Sequence, residues 1–352
     1  MDPFTIAIPQ DDLDDLAVRL RRTRWPDELD GVGWSYGTPL GEVRSMAAYW
    51  ADGYSWREHE ARLNELPQFT TVIDGQRVHF AHVRSENPDA LPLLLTHGWP
   101  SSFADFSRLV PYLRDFHLVI PSIPGFTFSG PTSSTGWGTS RVAATWVSLM
   151  AALGYERYGT QGGDFGSIIA PSVARLDPSR VVGVHVNALI TFGAGDVELT
   201  AAEKERAAGI ERWRSEFHGY ASIQSTRPQT LAYALNDSPS GLLGWNLDAF
   251  ASWGTDVGGV SVDDILTNVS LYWFTGTAGS SARLYREAGW DAPYNATPTG
   301  VAAFPGDSSV RPHAEQAHNV VHWSEPAEGG HYAALQAPSL LADDIRAFFS
   351  SL

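Results

Sequence analysis

The sequence predicts an α/β fold around a mostly parallel sheet, and two features of the chain carry this prediction. Short runs of apolar and β-branched residues recur along it, and segments with helical periodicity separate most of them. Strands that alternate with helices are typical of βαβ units, whose strands pair in parallel. With 352 residues, of which 43% are hydrophobic, the chain can bury one such core together with an inserted subdomain.

The charge and the composition exclude several classes of protein. The formal net charge of −16 argues against binding nucleic acid, because phosphate contacts need clustered lysine and arginine. The chain has no cysteine, so disulfides, thiolate catalysis and cysteine-ligated metals are ruled out. The first residues lack the pattern of a secretory signal, and no apolar run approaches the ~20 residues of a membrane span. We therefore expect a cytoplasmic protein without membrane contact.

Residues 1–68 are expected to form a helical extension. The segment DDLDDLAVRLRRTRW places Leu13, Leu16 and Leu20 at helical spacing. The following WPDELDGVGWSYGTP ends this pattern with proline and glycine. Because the region lacks an evident core of its own, it should wrap the main domain.

The strand pattern begins near residue 69. FTTVIDGQRVHFAHVR alternates like a hairpin with Asp74 and Gly75 at its turn. The apolar runs LPLLLTHG, FHLVIPSI, YERYGTQG and RVVGVHVNAL follow, and SRVAATWVSLMAALG between two of them has a helical pattern. Residues 69–190 are therefore assigned to the core of the fold.

After residue 190 the strand pattern stops, and it returns near residue 296. The segments LTAAEKERAAGIERWRSEF and SVDDILTNVSLYWFTGTAGSSARLYREAG in between are typical of helices. TPTGVAAFPGD and HNVVHWSEP then restore the strands, and SLLADDIRAFFSSL ends the chain as an amphipathic helix. We therefore expect a helical lid at 191–295, inserted between two strands of a core that also contains 296–352.

Candidate functional residues follow four of the predicted strands. In open parallel sheets, ligands meet the carboxyl ends of strands. One of these ends has the form Gly-x-nucleophile-x-Gly, with Asp164 where serine hydrolases carry serine. Alternatively, Asp164 could cap an ordinary helix. The four motifs are HGWP at 97–100, GGDFG at 162–166, FPGD at 304–307 and EGGHY at 328–332.

The chain order of three residues favours a catalytic interpretation. Asp164, Asp307 and His331 match the nucleophile–acid–base order of α/β-hydrolases. Taken singly, Asp307 could be a turn residue in PGDSS. His331 differs from the other histidines because it follows the last predicted strand.

These motifs together resemble microsomal-type epoxide hydrolases of the α/β-hydrolase superfamily. HGWP, GGDFG, LNDSPSGL, LTNVSLYWFTGT, AFPGD and GGHYAALQAP are similar in order and spacing to segments of that family. The resemblance implies an α/β-hydrolase fold and an epoxide hydrolase N-terminal region, here without the membrane anchor of some members. The chain is also similar to soluble bacterial members of the family that serve natural-product pathways such as enediyne assembly. The resemblance further suggests a homodimer.

The resemblance also assigns roles to residues. It implies Asp164 as nucleophile, Asp307 as acid, where the family often has Glu, and His331 as base. Two lid tyrosines, Tyr220 and Tyr285, would protonate the epoxide oxygen. The motifs also place the backbone N–H groups of Trp99 and Phe165 to form an oxyanion hole. Apart from the resemblance, four lid aromatics are candidates for binding substrate, with packing in the core as the alternative for each of them: Trp245, Trp253, Trp273 and Phe274.

The predicted reaction converts a small-molecule epoxide and water into a vicinal diol through an ester on Asp164, with no cofactor and no metal. A haloalkane dehalogenase-like hydrolase is an alternative, but that family usually has tryptophan at the position of Phe165. We do not favour a serine esterase. A non-catalytic ligand-binding relative ranks last, because such relatives typically lose a member of the triad and this chain keeps all three.

Overall fold

The computed structural model describes residues 1–191, 197–253, 260–289 and 293–352. Its centre is a nine-stranded sheet with the order β1-β2-β3-β5-β4-β6-β7-β8-β9. The strands are β1 (Asp2–Phe4), β2 (Gln68–Ile73), β3 (Gln76–Val83), β4 (Pro92–Thr96), β5 (His117–Pro121), β6 (Tyr158–Gly162), β7 (Val181–Asn187), β8 (Asn295–Ala302) and β9 (His318–Ser324).

The sheet is mostly parallel, as predicted. β1, β2, β3 and β5 pair antiparallel, and the pairs from β5 through β4 to β9 are all parallel. The β2–β3 hairpin turns at Asp74 and Gly75, whose φ angles of 51° and 71° are those of a two-residue hairpin turn. Residue patterns alone thus located the strands that carry the four motifs.

Helices cover both faces of this sheet and form the lid. The described helices are α1 (Gln10–Arg21), α2 (Leu40–Asp52), α3 (Trp56–Leu63), α4 (Thr139–Ala152), α5 (Phe165–Leu176), α6 (Ala201–Arg212), α7 (Gly219–Thr226), α8 (Pro228–Asp237), α9 (Pro239–Ser252), α10 (Val262–Thr275), α11 (Ala278–Glu287), α12 (Arg311–Ala317), α13 (Ala333–Gln336) and α14 (Pro338–Ser350). Of these, α6 to α11 lie between β7 and β8 in the chain.

The N-terminal region differs from the expectation of a purely helical extension. Its first residues form β1, which pairs with β2 at the edge of the sheet and places Pro3 opposite Phe69. The same region contacts the lid, since Trp50 Nε1 donates a hydrogen bond to Ser270 Oγ at 2.9 Å. Residues 1–68 therefore join the sheet and the lid, while the division of the chain into three units stays a prediction.

No helix in the described ranges has both the length and the apolar character that a bilayer crossing requires.

Candidate active site

Asp164 lies at the sharp turn between β6 and α5, in a strained backbone conformation. Its φ of 54° and ψ of −124° are rare for any residue other than glycine. The surrounding frame is tight, because a Cβ on Gly166 would lie 2.0 Å from the carbonyl oxygen of Thr96. A Cβ on Gly162 would lie 2.4 Å from the backbone of Gly166. The glycines around Asp164 are therefore required by close packing of the turn against β4.

The carboxylate of Asp164 faces away from its own helix. Asp164 holds the N-cap position of α5, yet its side chain makes no capping hydrogen bond. Oδ1 instead accepts a hydrogen bond from the backbone N–H of Trp99 at 2.9 Å. The chain passes so closely that a Cβ on Gly98 would lie 2.1 Å from this oxygen. The helix-capping alternative is thus wrong for this side chain.

His97 fixes the loop that carries Trp99. Its Nδ1 lies 2.9 Å from the carbonyl oxygen of Gly98, and its Nε2 accepts a hydrogen bond from the N–H of Ile123 at 3.1 Å. Because Nε2 is an acceptor, the ring is neutral with its proton on Nδ1. Burial lowers the pKa of His97 to about 4, which keeps this tautomer at neutral pH. His97 therefore helps to shape the loop at 97–100.

His331 lies between the two predicted carboxylates. Its Nε2 is 3.4 Å from Asp164 Oδ2, and its Nδ1 is 3.9 Å from Asp307 Oδ1. The second oxygen of Asp307 accepts hydrogen bonds from the N–H groups of Ala188 at 3.2 Å and Phe304 at 3.1 Å. The structure therefore brings the three residues together in space, with His331 between Asp164 and Asp307.

The ring of His331 is held by aromatic neighbours. Trp253 stacks on it with ring centroids 4.6 Å apart and an interplanar angle of 16°. Tyr332 also contacts it in an edge-on arrangement, with ring centroids 4.9 Å apart. This packing fixes the plane of the imidazole and points Nε2 toward Asp164.

Asp307 is buried almost completely, and this changes its acidity. Burial raises the pKa of Asp307 to about 6, although the His331 charge and the two backbone donors oppose the rise. The carboxylate is therefore ionised above that pH, where it can stabilise a positive charge on His331.

The two lid tyrosines line the same cavity as Asp164. The cavity has a volume of about 250 Å³, and Asp164, Tyr220 and Tyr285 all line it. Tyr220 comes from α7 and Tyr285 from α11, with ring centroids 6.0 Å apart. Burial is the main reason why the pKa of each tyrosine lies above its ordinary value. The next largest cause is the charge of Asp164 for Tyr220, and the neighbouring Tyr220 for Tyr285. Both hydroxyls therefore keep their protons at neutral pH.

Trp253 orients one of these hydroxyls. Its Nε1 donates a hydrogen bond to the oxygen of Tyr220 at 2.8 Å. Since Tyr220 is the acceptor in this bond, its own O–H remains available to donate. One tryptophan thus contacts both the base and an acid of the predicted site.

Comparisons with known proteins identify the family of the chain. Residues 1–106 match the model of the epoxide hydrolase N terminus, and residues 92–217 match that of the alpha/beta hydrolase fold. Epoxide hydrolase 1 of Sus scrofa is 34% identical to the chain, over 99% of the chain and 88% of the relative. The chain belongs to the epoxide hydrolase family.

Two solved structures of this family show the same fold. The epoxide hydrolase of Aspergillus niger superposes with a TM-score of 0.90 at 35% identity, covering 99% of this chain and 96% of that one. The juvenile hormone epoxide hydrolase of Bombyx mori gives a TM-score of 0.88 at 29% identity, covering 99% and 94%. The α/β-hydrolase fold and the enzyme class expected from the sequence are thereby confirmed.

The substrate-binding aromatics expected for this epoxide hydrolase family member divide into two groups. Trp253 lines the cavity, but the cavity walls formed by described residues do not include Trp245, Trp273 or Phe274. Trp245 donates to Gln224 at 3.1 Å and lines an outer groove.

Trp273 and Phe274 instead face the N-terminal extension. The guanidinium of Arg19 lies 5.8 Å from the ring centroid of Trp273, and Phe274 packs 5.0 Å from Trp56. The end of α10 is therefore used to hold the extension against the lid.

Several residues that line the cavity were not predicted from the sequence. Trp213 stacks on Trp253 at 4.8 Å, and it precedes Tyr220 by seven residues, a spacing that could have signalled it. His218 also reaches the cavity, with Nδ1 2.8 Å from Ser222 Oγ. The further described lining residues are Ile168, Ile190, Ala221 and Ser225.

A Gly-x-Ser-x-Gly segment does occur in the chain, as GWSYG at 33–37. It forms a single exposed helical turn in the N-terminal extension and follows no strand. The hydroxyl of Ser35 donates to the carbonyl of Val32 at 2.5 Å. This segment lacks the strand–turn–helix context of a serine nucleophile, so it gives no support to an esterase.

Proposed function

We propose that this chain opens an epoxide through a covalent ester on Asp164 and then hydrolyses that ester to release a vicinal diol. One observation carries the proposal: a carboxylate held by the N–H of Trp99 lines the same cavity as two protonated tyrosines and lies 3.4 Å from His331. An anionic nucleophile and a neutral acid in the walls of one cavity suit the opening of a strained ether.

In the first step, Asp164 attacks the epoxide carbon. Oδ1 is held by Trp99, which leaves Oδ2 as the nucleophilic oxygen. A bond forms from Oδ2 to carbon while the carbon–oxygen bond of the ring breaks. The electron pair moves to the epoxide oxygen, which takes a proton from Tyr220 or Tyr285. A halide needs no such proton, so the tyrosine pair favours an epoxide over a haloalkane.

In the second step, water attacks Cγ of the Asp164 ester. His331 Nε2 takes one proton from this water, and Asp307 stabilises the resulting imidazolium. The tetrahedral intermediate collapses as the bond from Cγ to the alkyl oxygen breaks, and that oxygen takes the proton back from His331. Loss of a proton from Asp164, balanced by reprotonation of the tyrosine, restores the enzyme.

The oxyanion of this intermediate needs hydrogen-bond donors. The N–H of Trp99 already contacts Oδ1, and Phe165 is the first residue of α5, where backbone N–H groups point out of the helix. Losing one such donor typically costs about 3 kcal/mol of transition-state stabilisation. We assign Trp99 and Phe165 to this role.

The biological setting is proposed from the sequence alone. A cytoplasmic location, a homodimer and a place in natural-product or detoxification chemistry stay predictions.

A single turnover in water enriched in heavy oxygen tests the covalent mechanism. Enzyme in excess over a simple aromatic epoxide should yield a first diol without the label, because the new oxygen comes from Asp164. The peptide that contains Asp164 should gain the label instead. Acid hydrolysis of the same epoxide, which adds solvent oxygen directly, is the control. A fully labelled first diol from the enzyme overturns the covalent mechanism.

A further inference from the structure

A second, smaller cavity lies on the other side of Asp164. Its volume is about 40 Å³, and Thr96, Ser101, Asp105, Asn187 and His331 contribute to its walls. We call it the rear chamber. Among the described residues, Asp164 alone lines both the rear chamber and the substrate cavity. The carboxylate therefore separates a space that contains the tyrosines from one that contains the base.

The rear chamber has the size of a water site. A buried water needs a cavity of about 10–15 Å³ and two to four polar partners. The rear chamber exceeds this several-fold but is far smaller than the 250 Å³ cavity next to the tyrosines. An epoxide with an aromatic or alkyl body fits only the larger space.

Two buried polar atoms of residues that line the chamber have no hydrogen-bond partner among the described residues, although His331 Nε2 lies 3.4 Å from Asp164 Oδ2. Thr96 Oγ1 and His331 Nε2 are both buried, and neither makes a hydrogen bond within the part of the chain that the structure describes. Such atoms are costly unless a water or a ligand satisfies them. A water in the rear chamber would satisfy both.

The other polar walls are already engaged. Asp105 Oδ1 accepts a hydrogen bond from Asn268 Nδ2 at 2.7 Å, and the side chain of Ser101 also hydrogen-bonds to Asp105. Asn187 Oδ1 accepts from Gln161 at 2.9 Å. This leaves the hydroxyl of Thr96 as the side-chain group best able to orient a water toward His331.

We propose that the rear chamber holds the water that hydrolyses the ester, and that Thr96 is a positioning residue for it. This inference rests on the proposed covalent mechanism. While the ester exists, its alkyl group fills the substrate cavity, so water that enters through this cavity would have to pass the alkyl group. The rear chamber supplies water from the opposite side, and the two half-reactions reach Asp164 from two directions.

The chemistry of the step follows from this placement. The water oxygen bonds to Cγ of Asp164, one of its protons passes to His331 Nε2, and the other is donated to Thr96 Oγ1. Thr96 exchanges no proton and makes no bond to the substrate. Its loss should slow hydrolysis of the ester and leave formation of the ester unchanged.

Transient kinetics of Thr96→Val and Thr96→Ser test this role. Valine keeps the shape of threonine without the hydroxyl, and serine keeps the hydroxyl. With a simple aromatic epoxide and quenching for mass analysis of Asp164, we expect Thr96→Val to form the ester at the parent rate. Its hydrolysis should be about tenfold slower, the usual effect of losing one hydrogen bond in a transition state. Thr96→Ser should hydrolyse within about twofold of the parent.

A second variant addresses the space instead of the hydrogen bond. Ala334 also lines the rear chamber, and Ala334→Leu should fill it without removing a polar group. We expect the same selective loss of ester hydrolysis, and this variant decides the matter if circular dichroism shows Thr96→Val to be unfolded. Parent-like hydrolysis in the folded variants overturns the rear-chamber proposal while the covalent mechanism stands. Absence of any ester in the parent overturns the mechanism itself.

Discussion

The two sides of Asp164 are built by different means. On the core side, Asp164, Asp307 and His331 each follow a strand of the sheet, and the backbone dictates where they lie. On the lid side, Tyr220 and Tyr285 stand within helices and are positioned by neighbouring side chains. The core side thus depends on turns and close packing, whereas the lid side depends on how separate helices meet.

This difference corresponds to a division of the chemistry. In the proposed mechanism, the lid tyrosines serve ring opening and the core pair of His331 and Asp307 serves ester hydrolysis. Substitutions on the two sides should therefore slow different half-reactions. Measuring the rates of ester formation and ester hydrolysis in each variant tests this division.

The largest effect is expected for His331→Gln. Loss of the base should reduce steady-state turnover by about 10⁶-fold, the size seen when the base of a catalytic triad is removed. Ester formation should continue, because Asp164 needs no base to attack. Mass spectrometry should find one equivalent of alkyl group on the peptide that contains Asp164.

The matched control is His322→Gln. This histidine lies outside the site, and its Nε2 is 2.9 Å from Asp344 Oδ1. It should turn over like the parent. A folded His331→Gln protein that remains unmodified after exposure to substrate contradicts the assignment of His331 to the second step.

The double variant Tyr220→Phe with Tyr285→Phe tests the lid side. Removing both acids should slow ester formation by about 10³-fold, within the range that general acid catalysis contributes. Each single variant should lose less, because the other hydroxyl can still donate. Any ester that does form should be hydrolysed at the parent rate, in contrast to His331→Gln.

Tyr233→Phe serves as the control, since Tyr233 is 72% exposed on α8. If the double variant forms the ester normally, protonation by the lid tyrosines is wrong and another group must supply the proton.

The core side could be predicted from the sequence because its constraints are local. A glycine frame around an acid, placed directly after an apolar run, already requires a tight strand-to-helix turn. The carboxyl ends of parallel strands lie along one edge, so Asp307 and His331 had to lie close to Asp164 once their strands were located. The structure adds the distances and the burial that raises the pKa of Asp307 to about 6.

The lid was harder to predict because its helices are apolar on more than one face. Trp273 and Phe274 end α10, and only the position of the N-terminal extension decides that they contact Arg19 and Trp56. Trp213 begins a wide helical turn at Trp213–Phe217, which disturbs the regular 3.6-residue period. The pair Tyr220 and Tyr285 came from family resemblance, since helical periodicity alone does not separate them from packing residues.

Asp307→Asn should combine lower activity with higher stability. The folded pKa of Asp307, about 6, exceeds the value near ~3.9 of an unfolded chain, so the charged form disfavours folding. This destabilisation is absent below pH ~4 and complete above pH ~6. The neutral variant should therefore melt at a higher temperature than the parent at pH 7.5, and the difference should vanish near pH 4.

The same substitution should slow ester hydrolysis by about 10²-fold. The new amide can donate to His331 Nδ1, which moves the ring proton to Nε2, where a proton acceptor is needed. Ester formation should be unchanged. Stopped-flow kinetics measures both rates, and equal stability of parent and variant at pH 7.5 contradicts the destabilising charge.

The smallest effect is expected for Trp253→Phe, which bears on both sides at once. Phenylalanine can keep the stacking on His331 but removes the Nε1 donor that contacts the oxygen of Tyr220 at 2.8 Å. Because that hydrogen bond should strengthen as Tyr220 loses its proton, ring opening should slow by about fivefold, with little change in hydrolysis. Trp245→Phe is the matched control, since its indole donates to Gln224 instead. Slower hydrolysis with normal ring opening would mean that Trp253 acts mainly through the base, and that the lid and core contributions are coupled at this residue.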